Sequence, residues 1–162
     1  AFGKKTETIF PVASMYKLKK YYIILIDMGG MYKGYLTEMA RTIFHGESDA
    51  QKKAIYEIVL SAYNKMKEFI KPGIVASAAN AVVRDYFKEI GHEQYCYHPL
   101  GESTGFVKGG ISLAPNDKNV LKSGMVFIVE PALYVPNWGG VKIKETILIT
   151  DSGMEELSGG PE

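Results

Sequence analysis

Four carboxylates stand in or beside segments that are otherwise apolar, and they are the residues best placed to do chemistry. Asp27 ends the run IILID, and Glu130 ends the run MVFIVE. A charge in such a strand is unfavourable unless it pairs with an opposite charge or binds a cation. Glu38 lies in the strand expected to return from Asp27, and Glu102 lies in HPLGESTG. We predict that these acids face one polar pocket; the alternative is four separate, exposed strand charges.

Two lysines lie two positions apart in the segment GVKIKET. Because side chains alternate along a strand, Lys142 and Lys144 point to the same face. In a hairpin centred near Asn137, Glu130 lies opposite Lys144, so both amines would face the acids. The sequence therefore predicts a salt-bridge network, in which lysines satisfy buried carboxylates in the way that metal ions can.

Hydrophobic periodicity predicts the elements that position these residues. Apolar runs at 21–28 and 35–44 form a first hairpin, centred near residues 32 and 33, which places Asp27 opposite Glu38. The residues MVFIVEPALYV and VKIKETILIT form a second hairpin around the turn PNWGG. Each hairpin carries an acid in its first strand, which indicates an internal pseudo-repeat.

Two helices are expected between the hairpins. The first begins at Ser48, whose side chain forms a capping box with Gln51, and it ends before the Pro-Gly pair at 72–73. The second covers about 77–90 and is capped by Ser77. The order of hairpin, two helices and hairpin indicates an α+β fold in one domain over residues 1–162.

Composition narrows the class of protein. Hydrophobic residues make up 46% of the chain and charged residues 23%, and the formal net charge is +1. This balance is typical of a soluble globular protein, and it supplies no field to attract nucleic acid or an acidic membrane, so we expect neither partner. No apolar run approaches the roughly 20 residues of a membrane span. A single cysteine, Cys96, fits a reducing compartment, so we expect a cytoplasmic protein in which this thiol is buried.

Three segments together resemble the superfamily of prolidase, aminopeptidase P and creatinase, to which methionine aminopeptidase is related. They are LIDMGGMYKGYLTEMARTIF, HPLGESTGF and GMVFIVEPALYVPNWGGVKIKETILIT, and the resemblance covers roughly residues 20–158. It implies the pita-bread fold, in which two pseudo-symmetric halves, each of β-hairpin plus helix, surround a central pocket. It also implies that the N-terminal domain of long prolidases is absent and that the substrate loop before Asp27 is shortened.

Active members of that superfamily hold two divalent metals through two Asp, one His and two Glu. The resemblance places these ligand positions at Asp27, Glu38, Glu102, Glu130 and Lys144. Asp27 and Glu130 are kept, whereas Glu38 replaces an Asp, Glu102 replaces the His and Lys144 replaces a Glu. An ammonium group has no lone pair for a metal at neutral pH.

The resemblance also sets the surroundings of this pocket. Its neighbours would be His98, Lys142 and Glu145. A His-Glu pair that binds substrate in the superfamily falls on Gly109 and Gly110, so these groups are lost together.

These departures predict a catalytically inactive pita-bread domain whose former metal pocket is filled by carboxylates and lysines. A natural pseudopeptidase and a redesigned or minimised scaffold would both give this pattern. We expect no catalytic residue, no cofactor and an unidentified protein or peptide partner, in a monomer or a homodimer. The alternative is a metal-dependent Xaa-Pro dipeptidase or aminopeptidase with a rearranged site, using Mn, Co or Mg. A weak site for one hard cation also stays open at Asp27, Glu38, Glu102 and Glu130.

Overall fold

The computed structural model describes residues 1–159 and has the α+β composition that the sequence predicts. Among those residues, two helices lie between a first hairpin and a later group of short strands. In chain order the elements are β1 Ile23–Tyr32, β2 Tyr35–Phe44, α1 Ala50–Phe69, α2 Ala76–Glu89, β3 Gly101–Ser103, β4 Val126–Val129, β5 Ala132–Val135, β6 Gly139–Lys142, β7 Glu145–Ile149 and β8 Met154–Glu156.

The first hairpin joins β1 to β2 through the two residues Lys33 and Gly34. Both have positive φ, 49° and 88°, as a type I′ turn requires. This turn sits one residue later than the sequence predicted, so Asp27 lies opposite Ala40, and the expected pairing of Asp27 with Glu38 is wrong. The two acids still share one face of the hairpin, because the shift in register is by two residues.

The second hairpin is divided between two sheets, whereas the sequence predicted one continuous hairpin. β5 pairs with β6 around the expected centre near Asn137, with Ala132 opposite Lys142. The pairing is interrupted at Pro131 and Ile143. Beyond this interruption β4 pairs with β7 in the same register, with Val129 opposite Glu145, within a four-stranded sheet of order β3-β4-β7-β8. Proline has no N–H for a ladder, and its carbonyl accepts the backbone N–H of Ile143 at 3.2 Å.

Backbone contacts join β2 to the segment that carries the two lysines. The N–H of Ala40 donates to the carbonyl of Lys144 at 3.0 Å, and the N–H of Lys144 donates back to Ala40 at 3.2 Å. One step along, the hydroxyl of Thr42 donates to the carbonyl of Lys142 at 2.9 Å. Both lysine backbones are therefore fixed beside the strand that carries Glu38.

The helices pack on each other and share one apolar core with the four-stranded sheet. Its fully buried members include Val59, Met66, Phe87, Leu100, Phe127 and Ile147. Cys96 is 4% exposed within this core, as expected. Within residues 1–159, neither helix combines the length and the apolarity that crossing a bilayer requires.

The helix caps differ from the predicted ones. Asp49, and not Ser48, caps α1 by accepting the N–H of Lys52 at 2.8 Å. α2 begins after Val75 without a side-chain cap, and Ser77 lies inside it. Carbonyls of a distant loop satisfy its first N–H groups, since Ala76 donates to residue 119 at 2.8 Å. Sequence signals could not anticipate a cap supplied by tertiary contact.

One close backbone approach gives a first prediction. A Cβ added at Gly101 in β3 would stand 2.3 Å from the carbonyl oxygen of Ile128, whereas one added at Gly105 would meet nothing within 4 Å. We expect Gly101→Ala to lower the free energy of unfolding by about 2 kcal/mol or more, because β3 and β4 must separate. Gly105→Ala should change it by no more than about 0.5 kcal/mol. Urea unfolding followed by circular dichroism measures both; equal midpoints would contradict this packing.

Candidate functional site

The ammonium group of Lys144 lies among three carboxylates. Its Nζ is 2.8 Å from Glu38 Oε2, 3.0 Å from Asp27 Oδ1 and 3.3 Å from Glu130 Oε2. The Lys144 side chain is only 7% exposed. These contacts arise because Lys144 and Glu38 lie on adjoining segments joined by the Ala40 bridge.

Lys142 supplies a second ammonium group to the same acids. Its Nζ is 3.1 Å from Asp27 Oδ2 and 3.3 Å from Glu130 Oε2. It also lies 5.9 Å from the centre of the Tyr134 ring, within the range of a cation–π interaction. Asp27 thus offers one oxygen to each lysine.

A third lysine, Lys108, extends the arrangement to the fourth acid. Its Nζ is 2.7 Å from Glu38 Oε1 and 3.1 Å from Glu102 Oε1. We call these seven residues the carboxylate–lysine network: Asp27, Glu38, Glu102, Glu130, Lys108, Lys142 and Lys144. Lys108 could not be predicted from the sequence, because it lies in a loop without a periodicity that would show the direction of its side chain.

The network includes each predicted ligand position, but it does not include two predicted neighbours. His98 Nε2 is 3.2 Å from the Tyr134 hydroxyl and Nδ1 is 2.6 Å from the Pro99 carbonyl, so His98 approaches the network only through Tyr134. Glu145 pairs instead with Arg41 at 2.5 Å. The expectation that Glu145 borders the pocket is wrong, because consecutive side chains such as those of residues 144 and 145 point to opposite faces.

Mutual pairing shifts the pKa values of Asp27, Glu38 and Lys144 in the direction that favours their charged forms. Burial acts to raise the pKa of Asp27, but Lys142 and Lys144 outweigh it, and the pKa lies below its usual range. The pKa of Glu38 is likewise lowered by Lys108 and Lys144 against the effect of burial. Burial acts to lower the pKa of Lys144, yet Glu38 and Glu130 raise it above the ordinary value. Pairing therefore favours the charged forms of Asp27, Glu38 and Lys144.

The residues present do not fit the two-metal centre that the resemblance implies. Metal ligands must direct lone pairs at one point, but the oxygens of Asp27, Glu38 and Glu130 are directed at ammonium groups. Within residues 1–159, no three His, Cys, Asp or Glu side chains are grouped so that they could hold an ion. A divalent cation here would also stand beside Lys142 and Lys144, which would repel it.

A cavity of about 170 Å³ adjoins Asp27 and Lys142, and the N-terminal residues Thr6, Ile9 and Pro11 line its other side. A void of this size accepts a group comparable to benzene. Sites for drug-sized ligands commonly measure about 300–1,000 Å³. The space beside the network is therefore narrow for a dipeptide.

Comparison with known proteins gives this arrangement a family context. Residues 1–151 match the profile of metallopeptidase family M24. The chain is 35% identical over 159 residues to an Xaa-Pro dipeptidase of Pyrococcus furiosus and 37% identical to one of Pyrococcus horikoshii, covering 98% of this chain in each case. It superposes over its whole length on the prolidase from Pyrococcus furiosus with a TM-score of 0.95 and 34% identity.

These similarities confirm the predicted pita-bread fold and superfamily. The chain covers 46% and 45% of the two dipeptidases and 48% of the prolidase structure, so it spans less than half the length of these relatives. The dipeptidase and prolidase activities in the names of these relatives are properties of those proteins.

Replacing the central ammonium group tests the network. Lys144→Glu would add a fifth acid to four, and we expect it to lower the free energy of unfolding by about 2 kcal/mol. This is less than the roughly 3–5 kcal/mol for breaking a fully buried pair, because the Asp27 side chain is 33% exposed. Lys144→Met should have a smaller effect in the same direction. Thermal and urea unfolding without added metal measure both changes.

The matched control is Lys71→Glu, which makes the same change of charge at an exposed position. It should leave the midpoint within experimental error of the parent. If Lys144→Glu unfolds no earlier than this control, the network does not stabilise the domain.

A second test uses pH. Because the folded-state pKa values of Asp27 and Glu38 lie below the unfolded ones, their stabilisation is complete above pH of about 5. It is lost as the pH falls through the folded-state values. We expect the melting temperature to fall between pH 5 and 2, and to fall less steeply in Asp27→Asn/Glu38→Gln. The same slope in both proteins would rule out this contribution.

Proposed function

We propose that this chain, which belongs to metallopeptidase family M24, keeps the peptidase fold without the peptidase chemistry. We propose that it acts as a peptide- or protein-binding domain. The observation that supports this is the Lys144 ammonium group, placed 2.8 Å from Glu38 and 3.0 Å from Asp27. It occupies the region in which a catalytic metal would need carboxylate oxygens.

Acid–base chemistry without a metal is also disfavoured at this site. A general base should have a pKa near the working pH. Glu38 and Glu130 raise the pKa of Lys144, which keeps the amine protonated, and lysines lower the pKa values of Asp27 and Glu38, which makes these carboxylates weak bases. Burial lowers the pKa of His98, but both of its ring nitrogens already have partners, in Pro99 and Tyr134.

A binding role is supported by apolar surface elsewhere on the domain. A cavity of about 860 Å³ lies between the tip of the first hairpin and the start of β4. Aromatic side chains at the same tip are exposed, Tyr32 by 73% and Tyr35 by 56%, and the ring of Phe106 lies 4.1 Å from that of Tyr35. Contiguous apolar surface of this kind is typical of interaction sites.

The second candidate is a metal-dependent Xaa-Pro dipeptidase. It is favoured by the two dipeptidase relatives, and the resemblance noted from the sequence places Asp27 and Glu130 at metal-ligand positions. This function would require both Lys142 and Lys144 to leave the carboxylates, so that Mn, Co or Mg could take their place. Hydrolysis would then depend on a metal-activated water and an open coordination position.

Metal binding and turnover separate the two candidates. We expect the purified protein, equilibrated with Mn²⁺ or Co²⁺, to retain no stoichiometric metal, to show no metal-dependent rise in melting temperature and to cleave no Xaa-Pro dipeptide. A ligand that binds only the folded state raises that temperature, so the thermal measurement detects binding without activity.

Asp27→Asn is the control for contamination. Stoichiometric metal together with turnover that is lost in Asp27→Asn would establish the dipeptidase and overturn the proposal. Turnover that persists in this variant would come from another protein in the preparation.

A further inference from the structure

The first 22 residues carry a charge that the whole chain does not show. They contain five lysines and one carboxylate, Glu7, although the net charge of the full sequence is only +1. The remainder of the chain is therefore net negative. Positive charge is concentrated on one segment, so the overall balance is a poor guide to what this surface attracts.

This segment forms one side of a cavity of about 420 Å³. The start of α1 and the turn between β5 and β6 form the other sides. We call it the basic–aromatic cleft, and the residues that characterise it are Lys4, Lys20, Lys52, Tyr16, Tyr22 and Trp138.

Two ammonium groups at this cleft are not neutralised. Lys4 Nζ contacts the neutral amide oxygen of Asn137 at 2.8 Å, and Lys20 Nζ lies 5.1 Å from the centre of the Tyr21 ring. Within residues 1–159 neither pairs with a carboxylate, whereas Lys52 pairs at 2.5 Å with Asp49, the one carboxylate among the residues that line the cleft. The cleft thus presents an excess of positive charge to a ligand.

Aromatic rings provide an apolar wall beside these charges. Tyr16 stacks on Tyr22 with ring centres 5.9 Å apart and planes within 7°, and their hydroxyls lie 2.8 Å apart. Phe2 extends the stack, 6.0 Å from Tyr16. Such a surface accepts apolar side chains next to acidic ones.

The same segment bears further exposed apolar side chains outside the cleft. Phe10 is 88% exposed, Val12 82% and Met15 92%. A small anion would leave them in water, whereas a polypeptide could cover them and reach the cleft together.

We propose that the basic–aromatic cleft binds an acidic polypeptide segment that also carries apolar side chains. Its carboxylates pair with Lys4 and Lys20, and its apolar groups pack on the Tyr16 ring and on Met15. No residue of the carboxylate–lysine network lines the cleft, although Ile23 of the cleft and Asp27 of the network both belong to β1. Binding here is therefore independent of whether the network pocket hydrolyses peptides.

Trp138 provides the measurement, because it is the single tryptophan of the chain and it lines the cleft. We expect its fluorescence to change when the protein is titrated with a twelve-residue peptide of Glu and Asp that contains two Phe and no Trp. A matched peptide with Lys at every acidic position should cause no change. The affinity should fall as salt is raised, since the attraction is screened.

Charge reversal locates the site. Lys4→Glu/Lys20→Glu should weaken binding of the acidic peptide by roughly tenfold or more, because attraction becomes repulsion. Lys118→Glu/Lys122→Glu, an equal change of charge at exposed positions, should alter it by less than about twofold. Lys20→Glu alone provides the same test if loss of the contact from Lys4 to Asn137 lowers stability, which thermal unfolding reveals.

Three outcomes would overturn the proposal. One is an acidic peptide that leaves Trp138 emission unchanged. Another is equal weakening by the two double variants. The third is tighter binding of a single-stranded oligonucleotide, or of vesicles of anionic lipid, than of the peptide.

Discussion

The pairing of buried ammonium groups with carboxylates is the interaction on which the central pocket depends. Lys142 and Lys144 are 4% and 6% exposed, a degree of burial at which an unpaired charge would be strongly destabilising. Each therefore depends on acid oxygens at 2.8 to 3.3 Å, and the acids depend on the lysines in turn. A network of this kind does not necessarily stabilise more than an apolar core of equal volume. Removing any single member, however, takes a partner away from an opposite charge, which is destabilising. The members of the network therefore behave as a unit.

The backbone holds the network in place. Lys144 exchanges two hydrogen bonds with Ala40, and Lys142 is held by Thr42, so neither ammonium group owes its position to a mobile loop. Lys144 lies between β6 and β7, which belong to different sheets, and there its backbone bonds to Ala40 of β2. A metal ion entering the pocket would have to displace side chains whose backbone is fixed, against carboxylates that are already satisfied. Fold alone does not establish chemistry, so the shared family fold leaves the activity of this pocket to experiment.

Much of this could be predicted from sequence, and the failures have physical reasons. Alternation along a strand places Lys142 and Lys144 on one face and predicts acids as their partners. The register of the first hairpin was missed because it depends on positive φ at Lys33, which composition does not reveal. The direction of Lys108 depends on loop geometry alone. The comparisons confirm the fold and the family, whereas the lack of catalysis stays a prediction, since it concerns competition between a metal and the lysines.

Electrostatic balance separates the two sites of the molecule. The carboxylate–lysine network pairs four acids with three lysines, so its charges largely cancel and project little field into solvent. The basic–aromatic cleft has no such internal balance, and the excess charge of the N-terminal segment is directed outward. At physiological salt, fields between exposed charges decay within about 8 Å, so an acidic partner at the cleft would respond to Lys4 and Lys20 and little to the network. A charge-balanced pocket and an open cleft with excess positive charge therefore coexist in one chain, each with its own electrostatic origin.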